Sequence, residues 1–163
     1  MPISASIRAA LALDAYEDKY VLFGSLAALA NRIQAAGDRQ FVELTWKQWF
    51  ALLGISIFKQ PPGIRQLASV LGTSHQNLKQ ILLRLEKAGY VDLVTDAADK
   101  RKTRVHLTAQ VAVLERKYRA ASAAFMARIY QDIALEDIAV TSRTIQKMDE
   151  NLRGRGGPGQ TSW

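Results

Sequence analysis

Residues 63–108 constrain this chain most, because two short helical patterns meet there at a tight turn and run on into a basic segment patterned like a hairpin. Ile64, Leu67, Ala68 and Leu71 share one helix face, and Gly72 can take the left-handed conformation that closes a helix. Ser74 is the natural N-cap of the next helix, which turns Leu78, Ile81, Leu82 and Leu85 to a core and stops at Gly89. Residues 90–95 and 103–107 then read as strands rich in Val, Leu and Thr around a polar loop, 96–102. A helix-turn-helix followed by such a wing can lay one helix in a groove of a duplex.

The charge lies in the same place. Residues 59–119 carry twelve Lys and Arg against five Asp and Glu, whereas residues 1–58 and 120–163 each carry five of either sign, so the formal excess of +7 falls in the middle third. Basic charge concentrated on one segment favours a polyanionic partner. The absence of cysteine excludes disulfides, thiolate metal sites and thiol redox sensing. There is no glycine-rich phosphate loop, no HExxH and no nucleophile elbow, and both histidines, His75 and His106, fall in the basic segment, which argues against an enzyme and against a metal or cofactor site.

No apolar run of about 18 residues could span a bilayer. Residues 1–13 are apolar and carry Arg8, but they are short and lead into a charged helix, unlike a secretory signal; the chain reads as cytoplasmic, with no membrane partner. The remaining pattern is helical. Over residues 14–35, Tyr16, Tyr20, Phe23, Ala27, Ala30 and Ile33 form one face that Leu22, Leu26 and Leu29 widen, so this helix should be buried on more than one side, within the chain or in a dimer. Thr45 and Gln48 make a capping box, with Leu44 and Trp49 as its staple, opening a helix at Trp46 that the Gln60-Pro61-Pro62-Gly63 run must break. Thr108 looks like the cap of a long helix burying Val111, Leu114, Tyr118, Ala121, Phe125 and Ile129. Ile138, Ile145, Met148 and Leu152 mark a last helix after a bend near Ala134 or Leu135.

The expected fold is mainly α with a small β-wing, a winged helix-turn-helix lobe plus a helical lobe that is read, with the family resemblance given below, as a dimerisation lobe. Its divisions are 1–44 (helical, dimerising), 45–108 (DNA-binding), 109–152 (helical, dimerising) and a disordered tail, 153–163.

Ser74, His75, Gln76, Asn77, Lys79 and Gln80 open the second helix of the turn. Asn and Gln can bond the N6 donor and N7 acceptor of adenine together, so amides clustered at a helix start have the chemistry of base readers. Lys100, Arg101, Lys102 and Arg104 sit on or beside the wing tip, where a guanidinium can enter a minor groove and Asp99 can hold Arg101 in position. Arg65 and Arg84 are expected phosphate contacts, as is Lys79. Tyr16, Tyr20, Phe23, Trp46 and Trp49 could line an apolar pocket, although aromatics at helical spacing also serve as plain core.

The order of parts resembles the MarR family of bacterial transcription regulators. The resemblance is carried by Leu44-Thr45 with Gln48, by Ser74 through Leu85-Glu86-Lys87-Ala88-Gly89, and by the wing pattern Asp99-x-Arg101-x-x-x-Val105-x-Leu107-Thr108, and spans roughly residues 14–152. It implies a homodimer whose outer helices interleave and whose two winged lobes grip a pseudo-palindromic operator in double-stranded DNA, with a small aromatic effector entering an apolar pocket. Two positions depart from the family pattern: Asp92-Leu93 stands where an arginine is common in the first wing strand, and Val111 replaces a glycine after the Leu-Thr pair. A repressor is the simpler expectation, since blocking a promoter needs occupancy alone. The alternative is a winged-helix protein-interaction module without sequence-specific DNA binding.

Overall fold

The computed structural model describes residues 16–154. They form helices α1 (Asp18–Gln40), α2 (Trp46–Ser56), α3 (Ile64–Leu71) and α4 (His75–Lys87), strands β1 (Val91–Thr95) and β2 (Thr103–Leu107), and helices α5 (Ala109–Ile129) and α6 (Leu135–Gly154). The chain divides into two compact units, one up to Arg119 and one from Ala120.

The first unit is built around α4. Leu78, Leu82 and Leu85 recur on one face of that helix and are fully buried, together with Leu67 from α3, Val91 from β1 and Val105 from β2. Burying a leucine contributes on the order of 1.5–3 kcal/mol, so this leucine and valine cluster sets which face of α4 is left for solvent. The two helix ends use left-handed glycines. Gly72 has φ +63° and Thr73 N–H closes onto Ala68 O; Gly89 has φ +80°, with Gly89 N–H bonding Glu86 O and Tyr90 N–H bonding Leu85 O. The latter pair of bonds is a Schellman motif, which turns the chain directly into β1.

β1 and β2 pair antiparallel, from Val91 with Leu107 to Thr95 with Thr103. The Pro61-Pro62-Gly63 run does more than break a helix. Pro62 is buried, Val105 N–H donates to Pro62 O at 3.0 Å, and Gly63 bridges Arg104, so the linker lies along β2 as a short third edge. At the base of the wing, Thr108 donates its hydroxyl to Gly89 O at 2.7 Å and accepts Gln110 N–H at the start of α5.

At α2, Thr45 and Gln48 form the capping box, with Thr45 N–H donating to Gln48 Oε1 at 2.9 Å, while Trp46 N–H donates to Asp38 Oδ1 at 2.6 Å. In the second unit Asp132 turns the chain at φ +58° before α6, whose first turn carries Glu136 and Asp137 against the positive helix end.

Several boundaries and burials differ from expectation. α1 reaches Gln40 rather than stopping near Ala35. Gly37 stays inside it because its bare backbone admits the Trp46 ring, which a Cβ would meet at 2.4 Å. α2 ends at Ser56, a few residues ahead of the Gln60-Pro61-Pro62-Gly63 run expected to break it. α6 runs through Arg153 and Gly154, where an Arg153–Asp149 pair at 2.7 Å holds the last turn; the remainder of the expected tail, 155–163, lies outside the described residues, as do residues 1–15. Ile81 is half-buried rather than buried. The apolar face expected to bury α1 is largely open within this single chain: Val21 is buried, but Tyr20, Leu22, Phe23 and Leu29 are exposed. No residue of α6 is buried.

Candidate nucleic-acid interface

With Leu78, Leu82 and Leu85 turned inward, the opposite face of α4 is presented by geometry alone. His75, Gln76, Asn77, Lys79 and Gln80 are all exposed. Ser74 Oγ accepts Asn77 N–H at 3.1 Å, satisfying one of the free donors at the helix start. The first turn contains no acidic side chain that would repel a phosphate. Asn77 is further held by a bond from its amide Nδ2 to Thr73 Oγ1 at 2.8 Å, a partner that no sequence pattern singled out.

The wing tip is organised by two carboxylates. Asp96 Oδ1 accepts the N–H groups of Ala98 (2.8 Å) and Asp99 (3.0 Å), and its Oδ2 accepts Arg104 Nε at 2.5 Å. Asp99 Oδ1 accepts Arg101 N–H at 3.1 Å and Arg101 Nε at 3.3 Å, while Oδ2 faces Lys102 Nζ at 3.3 Å. Arg104, then the Ala98 and Asp99 amides, hold the Asp96 carboxyl below its ordinary value; for Asp99 the Arg101 amide dominates, ahead of the Lys102 and Arg101 side chains. Tight turns of this kind aim the tip, and the Arg101 side chain emerges 92% exposed.

A cleft of about 760 Å³ opens between this wing and the starts of α3 and α4, lined by Gly63, Ile64, Arg65, Gln66, His75, Lys79, Asp99, Arg101, Lys102, Thr103 and Arg104. Five cations against one carboxylate make it a concave surface of positive potential, suited to a phosphate chain. The fold therefore brings Arg65, His75 and Lys79 together with Asp99, Arg101, Lys102 and Arg104. Lys100 at the tip and Arg84 near the end of α4 are exposed but do not line the cleft. Arg104, expected on or beside the wing tip, is bonded within the fold: besides its bond to Asp96, its Nη1 donates to Pro61 O at 3.3 Å. Asp96, Thr73 and the Pro61-Pro62 carbonyls are the contributors that sequence reading missed. For Asp96 the signal was the Asx turn that an aspartate opening a tight loop favours.

The five aromatics expected around an effector separate. Trp46 stacks between Phe41 and Phe50, with ring centroids at 6.4 and 6.3 Å; Trp49 packs on Phe41 at 4.8 Å and edge-on to Tyr118 at 5.5 Å. Tyr16, Tyr20 and Phe23 are exposed by 58%, 58% and 70%. Beside the tryptophan cluster, Glu43 accepts Tyr118 OH at 3.0 Å and pairs with Lys117. Lys117 and then Tyr118 lower the Glu43 pKa, whereas burial and then Glu43 raise that of Tyr118. Trp49 Nε1 is buried without a hydrogen-bond partner. Among the described residues no group of three or more His, Asp or Glu side chains is placed to hold a metal ion, and no helix is long and apolar enough to cross a membrane.

Comparison with known proteins points the same way as the geometry. The model of the MarR family matches residues 43–102, from just before α2 through the wing loop. The transcriptional activatory protein BadR of Rhodopseudomonas palustris is 28% identical in an alignment 148 positions long that covers 86% of this chain and 85% of that protein. Among solved structures, Sco3205 of Streptomyces coelicolor, a MarR family regulator in complex with DNA, superposes with a TM-score of 0.78 at 16% identity, covering 91% of this chain and 96% of its own. The organohalide-sensing regulator RdhR-CbdbA1625 in its 2,4-dichlorophenol-bound form gives 0.72 at 16% identity, over 92% and 94% of the two chains. At such identities the structural likeness is one of fold.

Proposed function

Because this chain belongs to the MarR family of winged-helix transcription regulators, we propose that it binds a pseudo-palindromic operator as a homodimer, reading bases with the start of α4 and gripping phosphates with the wing. The observation that carries this reading is the cationic cleft beside the exposed amide face of α4. Gln76, Asn77 and Gln80, with Ser74 and His75, face the bases; Arg65, Lys79, Lys100, Arg101, Lys102 and the more distant Arg84 contact the backbone. Residues 45–108 form the DNA-binding lobe. Residues 1–44 and 109–152 supply the dimer contacts, and each unit leaves apolar side chains exposed that a second copy would cover, Leu22, Phe23 and Leu29 on α1 and, separately, Val140 and Ile145 on α6. The concentration of exposed amides at the start of α4 favours this over a protein-assembly role.

A small aromatic effector is part of the proposal. It is supported by the unpartnered indole N–H of Trp49 within a cluster of aromatic rings, since a buried donor left unbonded costs about 1–3 kcal/mol that a ligand acceptor would recover. The dichlorophenol-bound relative of the same fold agrees with that ligand class. Repression, which needs occupancy alone, is the first expectation for its sign of control; the name of the Rhodopseudomonas relative makes activation the second reading. Genome-wide mapping of bound sites and footprinting of the strongest would define the operator. A reporter fused to that promoter, with the regulator present and deleted, then gives the sign. Equal affinity for the footprinted site and a random duplex would refute sequence-specific regulation.

A further inference from the structure

We propose that Arg104 is a positioning residue rather than a phosphate contact: it latches the wing to the linker before α3 and so sets the width of the cationic cleft. The inference rests on the DNA-binding reading above. Its guanidinium donates from Nε to Asp96 Oδ2 at 2.5 Å and from Nη1 to Pro61 O at 3.3 Å. The Asp96 side chain is 11% exposed and its other oxygen already holds the Ala98 and Asp99 amides, so the carboxylate is the hub of the tip. On the far side, Pro61 begins the run whose Pro62 carbonyl accepts Val105 N–H and whose Gly63 bridges Arg104 itself. One planar fork thus connects the turn that aims Arg101 with the segment that leads into Arg65.

Lysine would keep the charge but not the fork, because a point ammonium cannot hold two acceptors in fixed directions as a guanidinium does. Arg101, by contrast, points outward with 92% of its side chain exposed and is built to meet a phosphate. The two roles therefore differ in their salt signature. A residue that neutralises a phosphate contributes about 0.9 to the slope of log K against log salt, whereas a residue that only positions others contributes none of its own.

Charge alone and a latch also predict opposite signs for Asp96→Asn. Removing a carboxylate from a DNA-facing surface should tighten binding if charge decides. If Asp96 and Arg104 hold the wing, it should weaken binding.

The test is fluorescence anisotropy with the footprinted operator from 50 to 200 mM salt, using the full chain and the variants Asp96→Asn, Arg104→Lys and Arg101→Ala. The expected result is roughly tenfold weaker binding for Asp96→Asn and for Arg104→Lys at unchanged salt slope, the size of one lost charge-assisted bond. Arg101→Ala should weaken binding with a slope shallower by about 0.9 for each phosphate that is no longer neutralised. Tighter or equal binding by Asp96→Asn, or wild-type behaviour of Arg104→Lys, would overturn the latch.

Amide exchange in the free protein separates this outcome from a failure of the DNA reading. The Ala98 and Asp99 amides should exchange about tenfold faster in Arg104→Lys whether or not any duplex is bound, a factor that corresponds to one such bond. Equal exchange overturns the latch on its own.

Discussion

Replacing Thr73 by valine removes one hydroxyl and almost no volume, yet it should change how well the protein discriminates DNA sequences. Thr73 Oγ1 is the acceptor that holds the Asn77 side-chain amide, proposed to read a base, at 2.8 Å, while Ser74 Oγ holds only the Asn77 backbone N–H. Without the hydroxyl, Asn77 must be ordered at the moment of binding, at a cost of about 0.5–1.5 kcal/mol for a freed side chain. A dimer carries two copies, so specific affinity should fall by about 1–3 kcal/mol, roughly 5- to 140-fold. Random duplex, held through phosphates, should be bound as before. Stability should fall by no more than one exposed hydrogen bond contributes, toward the low end of about 0.5–1.5 kcal/mol. Anisotropy titrations with the operator and a scrambled duplex, beside a thermal melt, measure all three quantities. An equal loss on both duplexes, or full retention of discrimination by Thr73→Val where Asn77→Ala loses it, would refute the reasoning.

Gln76→Ala should relax base preference by about 1–3 kcal/mol for each bidentate hydrogen-bond pair removed, read as a narrowed gap between operator and single-base variants with random-duplex binding unchanged. Gly37→Ala should lower the unfolding midpoint. The added Cβ meets the Trp46 ring at 2.4 Å, and that ring is pinned between Phe41 and Phe50, so an overpacking cost of about 1–3 kcal/mol outweighs the roughly 1 kcal/mol that alanine gains over glycine in a helix. The wing should also lose order in acid. The folded pKa values of Asp96 and Asp99 lie below the ordinary aspartate value of 3.8, so their stabilisation is complete above that pH and disappears as pH falls through the lower folded values. The amide resonances of Ala98, Asp99 and Arg101 should hold steady from neutrality to near that point and then move together; a transition near neutrality would contradict the assignment.

How much of this could be seen in one dimension follows from the range of the forces involved. Local signals were legible. The Thr45 and Ser74 caps, the left-handed glycines at 72 and 89, and the spacing of Leu78, Leu82 and Leu85 each depend on residues within a turn of one another, and the helices and strands begin and end close to where those signals put them. The outward amide face of α4 follows from the same periodicity, because burying one side of a helix exposes the other.

What folding added is long-range pairing, for which adjacency carries no sign. Nothing near Arg104 indicates that its guanidinium turns to a proline carbonyl 43 residues earlier. Nor could residue type distinguish Trp46 and Trp49, drawn into a ring cluster by Phe41 and Tyr118, from Tyr20 and Phe23, aromatics at helical spacing that are left exposed on α1. A cation becomes a strut or a free contact according to which acceptors the backbone brings within about 3 Å of it, and that is a property of the assembled chain, not of the order of its residues.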